Sequence, residues 1–205
     1  WDYLITEFID GKPIRELRDS LSRKDLIGIA TDLGEIIRVL HDTDLKGLEN
    51  LSRHHETGTQ LAQRRKVEVV TEIRAKGLLP ANVLVDLESF LETATIDLRD
   101  HRAVLVHGDL TEDHLFLVEL NGRWAIKGLL DFGDAHLCPR EYEWPALWLG
   151  LLNLDIGALR AFFNAYDPAV LKDGDFTRRA FVWTLLHDFG TEMVEDVLKR
   201  HEDPQ

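Results

Sequence analysis

Two acidic motifs lie close together in the middle of the chain. Residues 107–114 read HGDLTEDH and residues 131–134 read DFGD. Each motif follows a short apolar stretch, so Asp109 and Asp131 are each predicted where a strand gives way to a loop. Phosphoryl transfer needs one carboxylate to orient a hydroxyl and accept its proton, and another to hold Mg²⁺ against nucleotide phosphates. Either Asp alone would be an ordinary turn residue, but the pair at this spacing favours a phosphotransfer site.

A β-hairpin is predicted between the two motifs. The apolar stretches 115–120 and 124–130 flank Asn121 and Gly122, residue types that favour the positive φ of a tight hairpin turn. A hairpin returns the chain to the same end of the sheet, so we expect the two acidic loops to lie side by side. Another short strand is predicted at 103–106, just before the first motif.

The segments on either side of this β insert are predicted to be mostly helical. Ser22 is a candidate helix N-cap with Asp25 three residues on, and apolar residues recur at helical spacing from there through His41. Other helices are expected at 14–21, 59–76, 80–99 and 176–198, with an intensely apolar segment at 144–152. Helices, a small β insert and more helices together predict an α+β, mostly helical lobe.

Composition excludes several classes of protein. With 205 residues, 44% of them hydrophobic, the chain is long and apolar enough for one packed domain. A net charge of -13 argues against nucleic-acid binding, and no apolar run is long enough to predict a membrane span. Cys138 is the only cysteine, so no internal disulfide can form, and we expect a reducing, cytoplasmic location.

The motifs resemble the catalytic core of the aminoglycoside phosphotransferase and choline kinase family, whose fold is similar to that of the protein kinases. Residues 33–41 (LGEIIRVLH) are similar to the family's L-G-x-x-L-x-x-L-H helix, and residues 3–11 (YLITEFIDG) to its hinge strand between lobes. The resemblance implies a hinge segment at 1–11 and a kinase-like C-terminal lobe at 12–205. Its helical substrate-binding subdomain would cover about 51–100 and 141–205.

The resemblance also implies a role for each residue of the acidic motifs. Asp109 would be the catalytic base that orients the substrate hydroxyl, and Asp131 would be the main Mg²⁺ ligand. His107 would brace the metal-binding loop from inside the protein. Asp134 would cap or orient that same loop.

His114 departs from the family pattern, which usually has Asn five residues after the catalytic Asp as a second metal ligand. An imidazole can bind a metal, although it is softer than an amide oxygen and suits Mg²⁺ less well. The family's enzymes that act on the 2″-hydroxyl of aminoglycosides resemble this chain in having His there. A loop histidine that only forms hydrogen bonds is an equally good interpretation of His114.

The nucleotide, ATP or GTP, would bind at the hinge, where the resemblance implies that backbone groups of Glu7 and Ile9 bond the base edge. No glycine-rich loop and no strand lysine, which cover and pair the phosphates in kinases, precedes this segment. The chain opens with Trp1 and its only methionine is Met193. We therefore expect the N-terminal lobe to be missing from this chain, and the isolated lobe to be inactive.

The leading hypothesis is a kinase lobe that phosphorylates a hydroxyl of a small molecule. The acidic charge would favour a cationic substrate, but solubility alone explains such a charge more readily. Glu141 and Glu143 follow the second motif and could face such a substrate, or could simply begin a solvated helix. A non-catalytic pseudokinase module is the main alternative. A metal-dependent hydrolase would need more ligands than the sequence offers.

Overall fold

The computed structural model describes residues 8–48, 57–94 and 102–202. In these ranges helices surround small antiparallel sheets, which confirms the predicted α+β class. The α-helices are α1 Ile14–Leu17, α2 Arg23–His41, α3 Gly58–Ala75, α4 Ala81–Ala94, α5 Ile156–Tyr166, α6 Phe176–Leu186 and α7 Gly190–Glu202. Short 3-10 segments lie at Arg18–Ser20, Phe132–Asp134, Arg140–Glu143 and Val170–Lys172, and a π-helical segment at Ala146–Leu151.

The strands form two small sheets that the acidic loops connect. One sheet has the order β1-β3-β4, from β1 Lys12–Pro13, β3 Leu115–Leu120 and β4 Arg123–Leu129; the other pairs β2 Ala103–Val106 with β5 His136–Pro139. The predicted hairpin is confirmed, because Asn121 and Gly122 have φ of 54° and 74° at the turn between β3 and β4. Strand β5 was not predicted, and its pairing with β2 brings the chain back beside the first acidic motif.

Helix α2 begins as its sequence predicts. The Ser22 side chain accepts the backbone N–H of Asp25 at 3.2 Å, and the Asp25 carboxylate accepts the N–H of Ser22 at 3.0 Å, which completes a capping box. Further along, a Cβ on Gly34 would lie 2.4 Å from the carbonyl oxygen of Phe162. Helices α2 and α5 therefore pack at a distance that only glycine allows.

The buried side chains form two clusters on either side of the acidic loops. The first gathers α2, α5 and the π-helical segment, with Phe162 and Phe163 fully buried in it. The second gathers α3, α4, α6 and the β2–β5 sheet around Trp183. Helices α3–α4 and α5–α7 fall within the ranges 51–100 and 141–205, whose assignment to substrate binding stays a prediction.

The predicted segment 176–198 is two helices rather than one. Helix α6 ends at Leu186 and α7 begins at Gly190, where a Cβ would lie 2.5 Å from the carbonyl oxygen of Leu185. Between them, Asp188 accepts hydrogen bonds from Tyr142 and Arg64. These tertiary contacts, which helical periodicity cannot reveal, hold the chain in the break.

Helices α2 and α3 begin and end within one residue of the predicted bounds. Helix α4 begins one residue after the predicted start, and residues 95–99 of the predicted helix lie outside the described residues. The segment 14–21 is a single α-turn followed by a 3-10 turn. Among the helices described, none has the length and apolar composition that crossing a bilayer requires.

Candidate active site

The two acidic loops meet around the imidazole of His114. Asp109 lies in the β2–β3 loop and Asp131 in the β4–β5 loop. Nδ1 of His114 is 3.5 Å from Oδ2 of Asp109, and its Nε2 is 3.6 Å from Oδ2 of Asp131. The structure thus brings together the three residues that the sequence selected, with both carboxylates against opposite edges of one ring.

The hydrogen bonds of His114 determine which ring nitrogen carries the proton. Nδ1 lies 2.9 Å from the backbone carbonyl oxygen of Asp109, and a carbonyl can only accept. Nδ1 therefore donates, and when the ring is neutral Nε2 has its lone pair toward Asp131. A lone pair and a carboxylate oxygen at 3.6 Å repel each other unless a proton or a metal cation lies between them.

His107 connects the first acidic loop to the second. It is fully buried, and its Nδ1 accepts the backbone N–H of Asp109 at 3.2 Å. Its Nε2 then carries the proton and donates to the carbonyl oxygen of Leu130, at 2.8 Å. Because Leu130 directly precedes Asp131, this imidazole ties the backbone of both loops to one rigid group.

Gly108 allows the loops to approach closely. Its φ is +83°, in the left-handed region, and a Cβ would lie 2.6 Å from the carbonyl oxygen of Asp134. Any larger residue at this position would push the two loops apart. The structure therefore places Asp134 against the backbone beside Asp109, and its capping or orienting role stays a prediction.

The surroundings of Asp109 disfavour the charged form of its carboxyl. Burial raises the pKa of the Asp109 carboxyl above its ordinary value, and the nearby charges of Asp134 and Asp131 act in the same direction. His114 and His107 lower this pKa and partly offset those effects. A carboxylate with a raised pKa is a better proton acceptor, and a group of like charges favours a cation nearby.

Asp131 is more exposed to solvent than Asp109 and His114. Its side chain is 64% exposed, and its backbone has φ 61° and ψ 69°, an unusual conformation for a non-glycine residue. One carboxylate oxygen accepts the N–H of Gly133 at 3.2 Å, which closes the turn of the second loop. The other oxygen faces His114 and is open to solvent and to ligands.

Glu143 is a site residue whose importance sequence reasoning missed. It was expected to face a cationic substrate or solvent, but it is fully buried and lies beneath the first acidic loop. Its carboxylate accepts the backbone N–H of His107 at 2.7 Å and that of Gly108 at 3.2 Å. Its proximity to His41, the last residue of the LGEIIRVLH helix, could not be read from a separation of about a hundred residues.

Two further buried side chains, His41 and Tyr166, form a chain of contacts that leads to the carboxylate of Glu143. Nε2 of His41 lies 3.5 Å from it, and Nδ1 of His41 lies 2.8 Å from the hydroxyl of Tyr166. Burial raises the pKa of Tyr166 to about 12, so its hydroxyl keeps the proton that it donates to His41. Burial alone would raise the pKa of Glu143, but hydrogen bonds from His41 and from the His107 backbone hold it below its ordinary value.

The predicted nucleotide contacts fall at the edge of the described residues. Glu7 lies outside the described ranges. Ile9 lies beside β4, where a Cβ on Gly128 would be 2.4 Å from its side chain, and its carbonyl oxygen accepts the N–H of Gly11 at 3.0 Å. Binding of a nucleotide base by the backbone of Glu7 and Ile9 stays a prediction.

The side chains of the site offer few ligands to a metal ion. Among the described residues, no group of three or more His, Cys, Asp or Glu side chains is arranged to hold a metal. Mg²⁺ bound beside nucleotide phosphates uses only one or two carboxylates from the protein, with ligands at about 2.1 Å. The 3.6 Å between Nε2 of His114 and Oδ2 of Asp131 leaves room for one ion that touches both.

Solved structures of aminoglycoside phosphotransferases, which have a protein-kinase-like fold, share the architecture of this chain. The gentamicin complex of APH(2")-IIa is 18% identical with a TM-score of 0.58, and covers 95% of this chain and 63% of its own. The GDP complex of wild-type aminoglycoside 2'-phosphotransferase-IIIa is 16% identical with a TM-score of 0.65, over 95% and 62%. Aminoglycoside-3'-phosphotransferase of type VIII is 18% identical with a TM-score of 0.59, over 89% and 67%.

The chain spans less than two thirds of the first two of these structures, and at such identities the likeness shows the fold. The sequence itself also matches a family model. The model described as "Phosphotransferase enzyme family" matches residues 1–181, which is most of the chain and includes both acidic loops. The resemblance noted in the sequence is therefore confirmed, and the chain belongs to the phosphotransferase enzyme family.

Proposed function

We propose that this protein transfers the γ-phosphate of ATP or GTP to a hydroxyl of a small molecule by direct in-line displacement. One observation carries the proposal: Asp109 and Asp131 lie 3.5 and 3.6 Å from opposite nitrogens of the same His114 ring. Phosphoryl transfer needs a base and a metal ligand within one small volume, and membership of a phosphotransferase family agrees with that reaction.

Asp109 is the proposed base. Its side chain is 22% exposed, so one face remains open to an acceptor while the loop holds the other. The carboxylate would accept a hydrogen bond from the attacking hydroxyl, fix its direction and take its proton as the bond to phosphorus forms. The raised pKa of Asp109 suits this role, because proton transfer is most effective when donor and acceptor are closely matched.

Asp131 and His114 are the proposed holders of Mg²⁺. The open oxygen of Asp131 and the lone pair on Nε2 of His114 face each other and leave space for one ion. When bound there, Mg²⁺ would neutralise charge on the phosphates of the donor nucleotide. His107 and Asp134 would keep the two loops in register around it, since one bonds Leu130 and the other packs on Gly108.

The donor nucleotide needs further groups that cover its phosphates. We propose that Glu7 and Ile9 bind the base through their backbone, and that an N-terminal lobe of the kinase type covers the phosphates. One observation supports nucleotide binding: a related structure carries GDP. The isolated lobe should then turn over poorly, and the reducing environment expected for Cys138 would suit a cytoplasmic enzyme.

The acceptor is proposed to be a small molecule that carries a hydroxyl, with a cationic one favoured. The net charge of -13 would attract a cation electrostatically. One related structure holds gentamicin. Its identity of 18% is too low to carry that substrate over to this protein.

The test is phosphotransfer by the full-length protein against a panel of hydroxylated amines, with Mg-ATP and Mg-GTP as donors. Asp109→Asn should lower the rate by at least about a hundredfold, the scale of general-base catalysis, and leave nucleotide binding intact. Asp113→Asn is a matched control, because it removes the same charge from the same loop at an exposed ion pair with Arg15. An unchanged rate in Asp109→Asn would disprove the assigned role.

Calorimetry with the two Mg-nucleotides separates this proposal from a non-catalytic module. The proposed enzyme should bind at least one of them in a saturable, Mg²⁺-dependent manner. If the full-length protein binds neither nucleotide, the pseudokinase alternative is favoured instead.

A further inference from the structure

A large apolar cavity lies among the helices, away from the acidic loops. Its volume is about 790 Å³, and it is enclosed by α4, α6 and α7 together with the segment after Glu143. Small-molecule sites in proteins span about 300–1,000 Å³ and are mostly apolar with a few polar groups. Asp109, His114 and Asp131 do not line it, so this is a separate space.

Buried aromatic rings form one end of the cavity. Trp144 forms part of its wall and is 2% exposed, packed edge-on against Phe163 with ring centroids 5.1 Å apart. Core packing of this density leaves space that does not close without moving large rings. A cavity lined in this way favours an apolar ligand over water, because its walls offer water few hydrogen-bond partners.

Two exposed apolar side chains indicate that the mouth of the cavity lies between α4 and α6. Val83 of α4 and Phe181 of α6 line the cavity and are 37% and 52% exposed. Asp86 is three residues from Val83, so both lie on the same face of α4. Large apolar side chains that stay exposed beside a cavity are typical of a ligand entrance.

Asp86 is the one ionisable side chain among the described residues that line the cavity. Other acids of α4 are paired: Glu88 binds Arg74, and Glu92 binds Lys66 at 3.0 Å. Asp86 forms no ion pair with any residue in the described ranges. A carboxylate that has no ion pair within the described part of the chain, at the rim of an apolar cavity, is complementary to an apolar molecule with one positive charge.

We propose that this cavity binds a hydrophobic small molecule that carries a cationic amine. Its apolar body lies between α4, α6 and α7, and its ammonium group lies at Asp86. This site goes beyond the proposed phosphotransfer, because it neither uses nor requires the acidic loops.

The experiment uses the full-length protein and three fluorescent probes that share one apolar body and differ in charge. They are 1-pyrenemethylammonium, 1-pyrenemethanol and 1-pyreneacetate, whose emission reports an apolar environment. We expect one bound probe per chain, with the cation tighter than the alcohol by about two- to five-fold, as for an exposed ion pair, and the anion weakest. Equal affinity for all three, or no saturable binding, would overturn the proposal.

Two variants locate the binding. Asp86→Asn should lower the affinity for the cationic probe to that for the alcohol probe, and it should leave the affinity for the alcohol probe unchanged. The control Glu119→Gln removes the same charge from an exposed strand position that does not line the cavity, and it should preserve the order of the probes. If Asp86→Asn weakens all three probes alike, or none, the carboxylate does not recognise the charge.

A larger side chain that fills the cavity tests independently whether the probes bind there. Ala180 of α6 lines the cavity, and Ala180→Phe should abolish binding of all three probes while the unfolding temperature stays the same or rises. Val83→Phe should close the mouth of the cavity, and it is the second variant to test if Ala180→Phe does not fold. Nucleotide binding at the acidic loops should persist in both. Unchanged probe binding in a folded filled variant would place the probes elsewhere and contradict the proposal.

Discussion

The backbone N–H of His107 donates to the buried carboxylate of Glu143 at 2.7 Å, and so fixes the loop that presents Asp109. The second oxygen of the same carboxylate accepts the N–H of Gly108 at 3.2 Å. Glu143 touches no proposed ligand. It is a positioning residue, because two consecutive backbone groups just before the proposed base bond to one buried charge.

The first prediction concerns Glu143→Gln. The amide keeps the shape of the side chain but has only one accepting atom, so its NH₂ group must face a backbone N–H. We expect the variant to lose about 1–3 kcal/mol of unfolding free energy, as when a buried donor loses its partner. Denaturant titration measures this, with the exposed Glu119→Gln as control. A loss equal to that of the control would show that the carboxylate does not hold the loop.

The second prediction concerns pH. Because the pKa of Glu143 is held below its ordinary value, its ionised form stabilises the fold at pH above the unfolded value of about 4.3. That stabilisation is lost as pH falls through the lower, folded-state pKa. The difference in stability between wild type and Glu143→Gln should therefore be constant from pH 6 to 8 and shrink below about pH 4.3. A difference that grows on acidification would contradict the assignment.

The third prediction is that Asp109→Asn stabilises the protein while it removes activity. Burial and the nearby carboxylates raise the pKa of Asp109, which means that the folded state disfavours its charge at neutral pH. The neutral amide avoids this cost, so the unfolding temperature measured without Mg²⁺ should rise. Asp113→Asn removes only an exposed ion pair and should change it little. A lower unfolding temperature for Asp109→Asn would mean that its carboxylate supports the fold.

The fourth prediction concerns the break between α6 and α7. The hydroxyl of Tyr142 donates to Asp188 at 3.1 Å, which ties this break to the residue beside Glu143. In a double-mutant cycle of Tyr142→Phe and Asp188→Ala we expect a coupling of about 1 kcal/mol in unfolding free energy. The exposed pair of Arg123 and Asp32 is the comparison, with a coupling of at most about 0.5 kcal/mol expected. Additive effects for Tyr142 and Asp188 would show that the contact carries no energy.

Much of the candidate active site could be predicted from the sequence because its signals are local. The Asn121-Gly122 turn fixes the β3–β4 hairpin by backbone conformation alone, and the hairpin makes the loops of Asp109 and Asp131 meet. The residue types within each motif then indicate the chemistry. The same local logic correctly placed the capping box of α2 at Ser22.

The features that could not be predicted depend on contacts between segments that are distant in the sequence. Glu143 lies 36 residues from His107, and an acid that follows a loop has the same local pattern whether it is solvated or buried. The break at Asp188 is likewise set by Tyr142 and Arg64, not by its own helical periodicity. Strand β5 forms because its four residues pair with β2, a long-range register that short sequences do not specify.

The proposed mechanism depends on one cation that His114 and Asp131 hold beside Asp109. Mn²⁺ with ADP, bound to the full-length protein, tests this arrangement by electron spin-echo spectroscopy, because an imidazole nitrogen on the ion modulates the echo. We expect nitrogen modulation in wild type, its loss in His114→Asn with the ion still bound, and weaker Mn²⁺ binding in Asp131→Asn. A tightly bound Mn²⁺–ADP complex that shows no nitrogen modulation in wild type, and is unaffected by Asp131→Asn, would contradict it.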